Sequence, residues 1–243
     1  MIVQIIWPNC SQVPSDMPNA HAPPDRRTYA IGDIHGSRDK LRRLLARCEQ
    51  DAEGAAMAFV FLGDYIDRGE DSRGVIETLI DLQTNMGDAA TFLMGNHEAL
   101  ALDAIDDETK APAWLMNNAE ATLRSYGVAR PTDLPADHVA WLRALKFSHD
   151  DGRRFYAHAG IDPRKPLDAQ DAFDLIWIRE PFLSDTRDHG RLVVHGHTPV
   201  RSGQPDLRPN RLNLDTGAVY GRALTAAVFT DAQTEPVGFL QAE

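Results

Sequence analysis

Short apolar runs recur along the chain, and each stops at the same kind of polar punctuation. Thr28-Tyr29-Ala30-Ile31 runs into Gly32-Asp33-Ile34-His35-Gly36, and Phe59-Val60-Phe61-Leu62 into Gly63-Asp64-Tyr65-Ile66-Asp67-Arg68-Gly69. Thr91-Phe92-Leu93-Met94 runs into Gly95-Asn96-His97-Glu98, Phe155-Tyr156-Ala157 into His158-Ala159-Gly160, and Leu192-Val193-Val194 into His195-Gly196-His197-Thr198. Runs of this length read as buried strands, and in open α/β sheets ligands bind at the carboxyl ends of strands. A carboxylate or imidazole emerging there can face a ligand instead of the core. One such loop is an ordinary polar turn. Unrelated loops would not repeat the same grammar five times.

The segments between the first three runs carry a helical period. Leu41, Leu44, Leu45 and Cys48 share one face of 37–50, with arginines on the other, and Val75, Ile76, Leu79, Ile80 and Leu82 repeat the signature before Asn85-Met86-Gly87-Asp88 closes it. The first ninety-odd residues therefore read as β-α-β-α-β, whose crossovers make the strands parallel. From Glu98 to about Leu145 the pattern is helical but irregular, with Pro112, Pro131 and Pro135 as breaks and Trp114, Leu115, Leu123, Trp141, Leu142 and Leu145 as apolar anchors. A helical insertion over the site, at about 99–145, is the expectation. The remainder returns to strands at 154–157, 192–194, 211–214 and 224–229. Residues 1–27 hold Pro8, Pro14, Pro18, Pro23 and Pro24 among Asn, Ser and Asp, which predicts a loose tail whose Ile5, Ile6 and Trp7 could dock on the domain. Residues 28–243 read as a single domain.

Composition narrows the function classes. With 43% hydrophobic and 25% charged residues the chain is an ordinary globular one, and a formal net charge of −11 gives no general attraction to nucleic acid or to an anionic membrane. An anionic substrate therefore needs a local positive site, which bound divalent metals and one or two arginines can supply. Cys10 and Cys48 give neither a disulfide framework nor a thiolate metal site, and no apolar run approaches membrane-spanning length. Two free thiols in a cytoplasmic protein is the reading. The acidic run Asp106-Asp107-Glu108 is most simply a solvated helix end, and His21, His138, His149 and His189, outside any motif, are expected to face solvent.

Asp, His and Asn without Cys make an oxygen and nitrogen site, suited to manganese, iron or zinc. Asp33 and His35, two apart on an extended segment, can point the same way; Asn96, His158 and His197 supply a second set, and the Asp64 carboxylate can bridge the two. Two metals about 3.5–4 Å apart could hold a hydroxide and clamp a phosphoryl oxygen during in-line displacement.

The ordered set GDIHG (32–36), GDYIDRG (63–69), GNHE (95–98), HAG (158–160) and HGHT (195–198) resembles the calcineurin-like metallophosphoesterases, within them the phosphoprotein phosphatase branch with its bacterial and phage members. The resemblance spans about 28–230 and implies an α/β (α+β) four-layer α/β/β/α sandwich. It implies one metal on Asp33, His35 and Asp64, and another on Asp64, Asn96, His158 and His197, with Mn²⁺ first and Fe or Zn as alternatives. It further implies His97 as general acid oriented by Asp67, with Arg68 gripping the phosphate and a metal-bridging hydroxide as nucleophile. Arg179, in Trp177-Ile178-Arg179-Glu180, resembles the second phosphate-binding arginine of phage-type members; its rival is a surface pair with Glu180. His195 is expected behind the ligand His197, and Asp215-Thr216-Gly217 resembles the phage-type closing segment, with a turn as the equal alternative. The implied activity is a serine/threonine, or dual-specificity, protein phosphatase. The enzymatic alternative is symmetrical bis(5'-nucleosyl)-tetraphosphate hydrolysis, whose enzymes resemble this chain but typically carry Ala where it has Asp67 and Asp where it has Glu98. A catalytically inactive phospho-binding scaffold is the non-enzymatic alternative, and no expected ligand is missing from the sequence.

Overall fold

The computed structural model describes residues 26–243. The expectation of a loose tail, with Cys10 and His21 in it, lies outside the described residues apart from Arg26 and Arg27. Arg27 belongs instead to the first strand, where its N–H donates to Ala56 O at 2.9 Å.

In chain order the elements are β1 (Arg27–Ile31), α1 (Arg38–Ala52), β2 (Met57–Phe61), α2 (Ser72–Met86), β3 (Ala90–Phe92) and α3 (Asn96–Asp106). The three following helices are α4 (Ala111–Leu115), α5 (Glu120–Tyr126) and α6 (Ala136–Arg143), and then come β4 (Ser148–Asp150), β5 (Arg154–Ala157) and α7 (Ala172–Trp177). The chain closes with β6 (Leu192–His195), β7 (Asp206–Leu207), β8 (Arg211–Asn213), β9 (Leu224–Thr230) and β10 (Gly238–Ala242). They form two mixed five-stranded sheets, ordered β10-β9-β1-β2-β3 and β4-β5-β6-β8-β7. β1, β2 and β3 are mutually parallel, as the crossover pattern predicts.

The period of two within each strand explains the layers. Tyr29, Ile31, Phe59, Phe61 and Val228 face the helices, whereas Ala30, Val60, Leu62, Ala227 and Phe229 meet Tyr156, Val194 and Leu212 of the second sheet in a separate core. Strands buried on both faces read as continuous apolar runs, which is how they stood out in the sequence. On the far side of the second sheet, Phe155 and Val193 join Leu175 and Ile176 of α7 and Phe182. The result is an α/β/β/α arrangement whose fourth layer is thin.

Three strands escape the hydrophobic pattern. β4 is Ser-His-Asp, β7 has two residues, and β10 is an edge strand with Gly238 and Gln241. Each is defined by its neighbour's hydrogen bonds more than by its own side chains. The insertion is helical as expected, but its prolines begin helical turns instead of breaking them. Pro112 lies in the first turn of α4, Pro131 opens a 3-10 turn and Pro135 caps α6, positions where a missing N–H costs nothing. His138 departs from expectation: it is buried, its Nδ1 2.8 Å from the Tyr126 hydroxyl, while His149 and His189 are half-buried. Cys48 is a buried free thiol. Among the described residues no helix is long and apolar enough to cross a membrane.

Candidate active site

Every expected metal ligand sits just past a strand end or at the start of α3, and all six are buried: Asp33, His35, Asp64, Asn96, His158 and His197. Asp64 stands at their centre. Its Oδ2 is 3.4 Å from His35 Nε2 and 4.0 Å from His97 Nε2, and its Oδ1 is 3.3 Å from His158 Nε2. The Asn96 side-chain oxygen lies 3.0 Å from His158 Nε2 and 2.9 Å from His197 Nδ1. Two groups capable of holding a metal ion follow, His35-Asp64-His97 and Asp64-His158-His197, with Asp64 in both. The first contains His97 alongside the expected His35 and Asp64. Asp33 lies against the turn at His197, whose backbone N–H donates to both its oxygens at 3.2 and 3.1 Å.

The imidazoles are oriented from behind. Nδ1 of His35 lies 2.8 Å from Ile66 O and Nδ1 of His158 lies 2.9 Å from Leu62 O, so each presents Nε2 to the cluster, the usual arrangement of a metal-ligating histidine. Buried oxygen and nitrogen donors that converge in this way fit divalent cations. Electrostatics agree with that fit. Burial pushes the Asp33 carboxyl well above its ordinary range, with Asp215 adding to the effect, and burial, ahead of Asp64, raises Asp215 to about 6. Burial pulls Asp64 the same way, yet the surrounding histidines, His158 foremost, outweigh it and hold the carboxyl well below its usual range. Several anions crowded together out of water call for compensating positive charge.

The backbone is built for this convergence. Among the described residues seven non-glycine positions have positive φ, and five of them are His35, Asp64, Asp67, Arg68 and His197. Such conformations cost about 1–3 kcal/mol each for non-glycine residues and persist only where the surroundings impose them. At Asp64, with φ of 53°, the imposing group is Glu98, a buried carboxylate that the sequence reading used only to separate subfamilies. Its oxygens accept N–H groups from Asp64 at 2.9 Å, Tyr65 at 2.8 Å, Ile66 at 3.2 Å and Gly95 at 3.0 Å. Burial first, then Asp64, pushes the Glu98 carboxyl up to about 7, against the pull of these donors. Gly95 must lack a side chain, because a Cβ there would lie 2.2 Å from Asp64 Oδ1. Replacing Glu98 with glutamine turns an N–H₂ group toward backbone donors, so urea unfolding should show a loss of about 1–3 kcal/mol. An unchanged transition would mean that the four bonds are dispensable.

His97 occupies a different setting from the other histidines. Nδ1 is 2.7 Å from Asp67 Oδ2, both groups are fully buried, and Nε2 has no hydrogen-bond partner among the described residues. Burial lowers its proton affinity, but Asp64 and then Asp67 more than compensate, leaving the pKa above the ordinary value. Asp67 is held in turn by groups from the helical insertion. Trp114 Nε1 donates to its Oδ2 at 2.8 Å, and Thr122 Oγ1 donates to its Oδ1 at 2.6 Å. Hydrophobic spacing flagged Trp114 only as a core anchor; Thr122 left no signal at all.

Arg68 is half-buried and donates to His35 Nε2. Arg179 is exposed in a cavity that also includes His197, and among the described residues it makes no ion pair. Glu180, its rival partner, instead accepts a hydrogen bond from Ser184 Oγ at 2.6 Å. His195 packs on Phe182 with ring centroids 5.0 Å apart; its Nε2 has no partner among the described residues, and burial, with Arg211 beside it, lowers its pKa to about 3. Asp215 is buried and its Oδ1 accepts the Gly217 N–H at 3.1 Å, as a turn-forming aspartate does.

Known proteins resemble this chain in sequence and fold. The family model of calcineurin-like phosphoesterases matches residues 26–224. A relative named serine/threonine-protein phosphatase 1, from Salmonella typhimurium, is 31% identical over 83% of this chain and 91% of its own. A second, bis(5'-nucleosyl)-tetraphosphatase PrpE [asymmetrical] from Anoxybacillus flavithermus, is 29% identical over 85% of this chain and 92% of its own. Among solved structures, the cold-active protein-tyrosine phosphatase of a psychrophilic Shewanella superposes with a TM-score of 0.64 at 18% identity, covering 90% of this chain and 82% of that one. With the family model running from β1 into β9 across all five polar strand ends, the chain belongs to the calcineurin-like phosphoesterases.

Proposed function

We propose that this protein is a two-metal phosphomonoesterase that removes phosphate from serine and threonine side chains of proteins. The observation that supports this best is the buried His97–Asp67 pair, with the free Nε2 of His97 directed at the carboxylate common to both metal-capable groups. An alkoxide is a poor leaving group and needs a proton, which an imidazolium steadied by a carboxylate can donate near neutral pH. Asp67, fixed by Trp114 and Thr122, orients the ring and favours its charged form.

Asp33, His35 and Asp64 would hold one divalent cation, and Asp64, Asn96, His158 and His197 a second. When bound, the pair supplies Lewis-acid charge stabilisation and an acidified water for attack on phosphorus. Manganese suits this donor set, as do iron and zinc. Arg68 and Arg179 bind the phosphoryl oxygens; a guanidinium offers five N–H donors in a fork that matches them. Further readings follow from the same molecule. The shared core between the sheets supports residues 28–243 as one domain. The buried thiol of Cys48 and the lack of a disulfide framework favour the cytoplasm.

A second reading, hydrolysis of dinucleoside tetraphosphates, is carried by the PrpE relative. Asp67 argues for the first reading, because its carboxylate, held by Trp114 and Thr122, orients the His97 acid that an alkoxide leaving group needs. The discriminating experiment measures phosphate release from a phosphoserine peptide and from diadenosine tetraphosphate, side by side, on manganese-reconstituted protein with nucleotide products resolved. Peptide turnover should far exceed nucleotide turnover; the reverse order would reject the phosphatase assignment.

A further inference from the structure

One left-handed residue is left unexplained by the metal and acid groups. Among the described residues, two of the seven non-glycine positions at positive φ fall outside the site: Glu53, which ends α1, and Asn118, with φ of 66°. Asn118 sits at a tip of the helical insertion, in the turn of 116–119 that joins α4 to α5. Buried Trp114 and Ala119 anchor that turn, while Met116 is 86% exposed. The Asn118 carbonyl accepts the Ala121 N–H within the turn and the Arg68 N–H from outside it, each at 3.3 Å.

The second of these bonds reaches the arginine assigned to the phosphate through its main chain. Asp67 and Arg68 are consecutive left-handed residues, with φ of 69° and 66°, a conformation that persists only where neighbours impose it. The insertion imposes it from three positions spaced four apart in sequence. Trp114 Nε1 donates to Asp67 Oδ2 at 2.8 Å; Thr122 Oγ1 accepts the Asp67 N–H at 2.8 Å and donates to Oδ1 at 2.6 Å. Trp114 and Thr122 thus act on Asp67, whose carboxylate orients His97. Asn118 is the one of the three that holds Arg68, and it does so with a backbone oxygen whose direction depends on the left-handed turn. Asparagine and glycine adopt that conformation readily, and a β-branched residue does not.

We propose that Asn118 is a positioning residue for Arg68: its left-handed turn holds the Arg68 main chain so that the guanidinium meets the phosphoryl oxygens. The inference rests on the phosphomonoesterase reading above and adds to it a residue of the insertion that governs phosphate affinity without touching either the phosphate or the acid. The insertion then acts on the reaction in two separable ways. Its hold on Asp67 bears on proton donation and its hold on Arg68 on binding, so loss of the second should weaken phosphate and leave the dependence on the leaving group as it is.

The test titrates inorganic phosphate by calorimetry into manganese-reconstituted wild type, Asn118→Val and Asn118→Gly. Asn118→Val should raise the Kd of phosphate roughly 2- to 13-fold, the factor to which the net worth of one hydrogen bond converts, while Asn118→Gly should stay within about twofold of wild type. For Asn118→Val, kcat/KM on a phosphoserine peptide should fall by the same factor, and the ratio between that peptide and an aryl phosphate should not move, whereas a fault passed to Asp67 would shift it. In an Arg68→Ala background, Asn118→Val should add no further loss of kcat/KM. Three results would overturn the proposal: unchanged phosphate affinity in Asn118→Val, an equal loss in Asn118→Gly, or a full additional loss on top of Arg68→Ala. A urea transition is measured alongside; if Asn118→Val is unfolded, Asn118→Ala, which keeps the penalty of positive φ without the branched Cβ, takes its place. A wild-type enzyme that leaves the peptide untouched would remove the phosphatase reading, and the phosphate titration would still decide the role of Asn118.

Discussion

Replacing His97 with asparagine is expected to lower turnover of a phosphoserine peptide by about 10²–10⁴-fold, the usual contribution of a positioned acid, while two divalent ions remain bound. The metal measurement matters because His97 belongs geometrically to one of the two metal-capable groups. Its Nε2, 4.0 Å from Asp64 Oδ2, could hold either a cation or a proton. A ligand assignment predicts loss of one ion in the variant. The acid assignment predicts two ions and slow chemistry. Substrate adds an independent check: a phenolate leaves with far less need of a proton than an alkoxide, so the loss should be smaller on an aryl ester than on phosphoserine. Equal losses on both, with two ions retained, would show that His97 does not protonate the leaving oxygen.

The difference between what was legible in the sequence and what was not follows from how each residue is recruited. Asp33, Asp64, Asn96, His158 and His197 stand where a continuous apolar run ends, so the strand announces the ligand. The parallel order of β1, β2 and β3 follows from two amphipathic crossovers, and their burial on both faces from unbroken apolar runs. Glu98 and Thr122 lie in helices, where no such punctuation exists, and apart from the Gly95 N–H on Glu98 the partners that tie them to the site are about 30 to 55 residues away. Trp114 read as core because its ring is core; only its indole N–H, bonded to Asp67, belongs to the site. Phe173 departs from its pattern in the opposite sense, since spacing predicts that an apolar residue on a helix points inward and this one does not. His138 misled in the same way from the polar side: its burial depends on the Tyr126 hydroxyl, a contact that no local pattern encodes.

Asp64→Asn should abolish high-affinity binding of both ions, with turnover falling in parallel. The carboxylate is the one group common to the two metal-capable clusters, and three imidazole Nε2 atoms lie within 4.0 Å of its oxygens. An amide of the same shape removes the bridging charge and turns an N–H₂ group toward nitrogens that should be sharing a cation. The expected fall in metal affinity exceeds about 100-fold, beyond the 10- to 100-fold that loss of a partner standing behind a ligand produces. The fold should survive, because the bonds that fix this turn run from the backbone N–H groups of Asp64, Tyr65 and Ile66 to Glu98, and asparagine leaves them in place. Metal titration of the purified variant, followed by calorimetry, with a urea transition measured alongside, separates the two effects. Retention of two tightly bound ions would refute the bridging role. Loss of metal together with an unshifted transition would assign Asp64 to charge rather than architecture, and would make Glu98 the residue that holds that charge where both ions can use it.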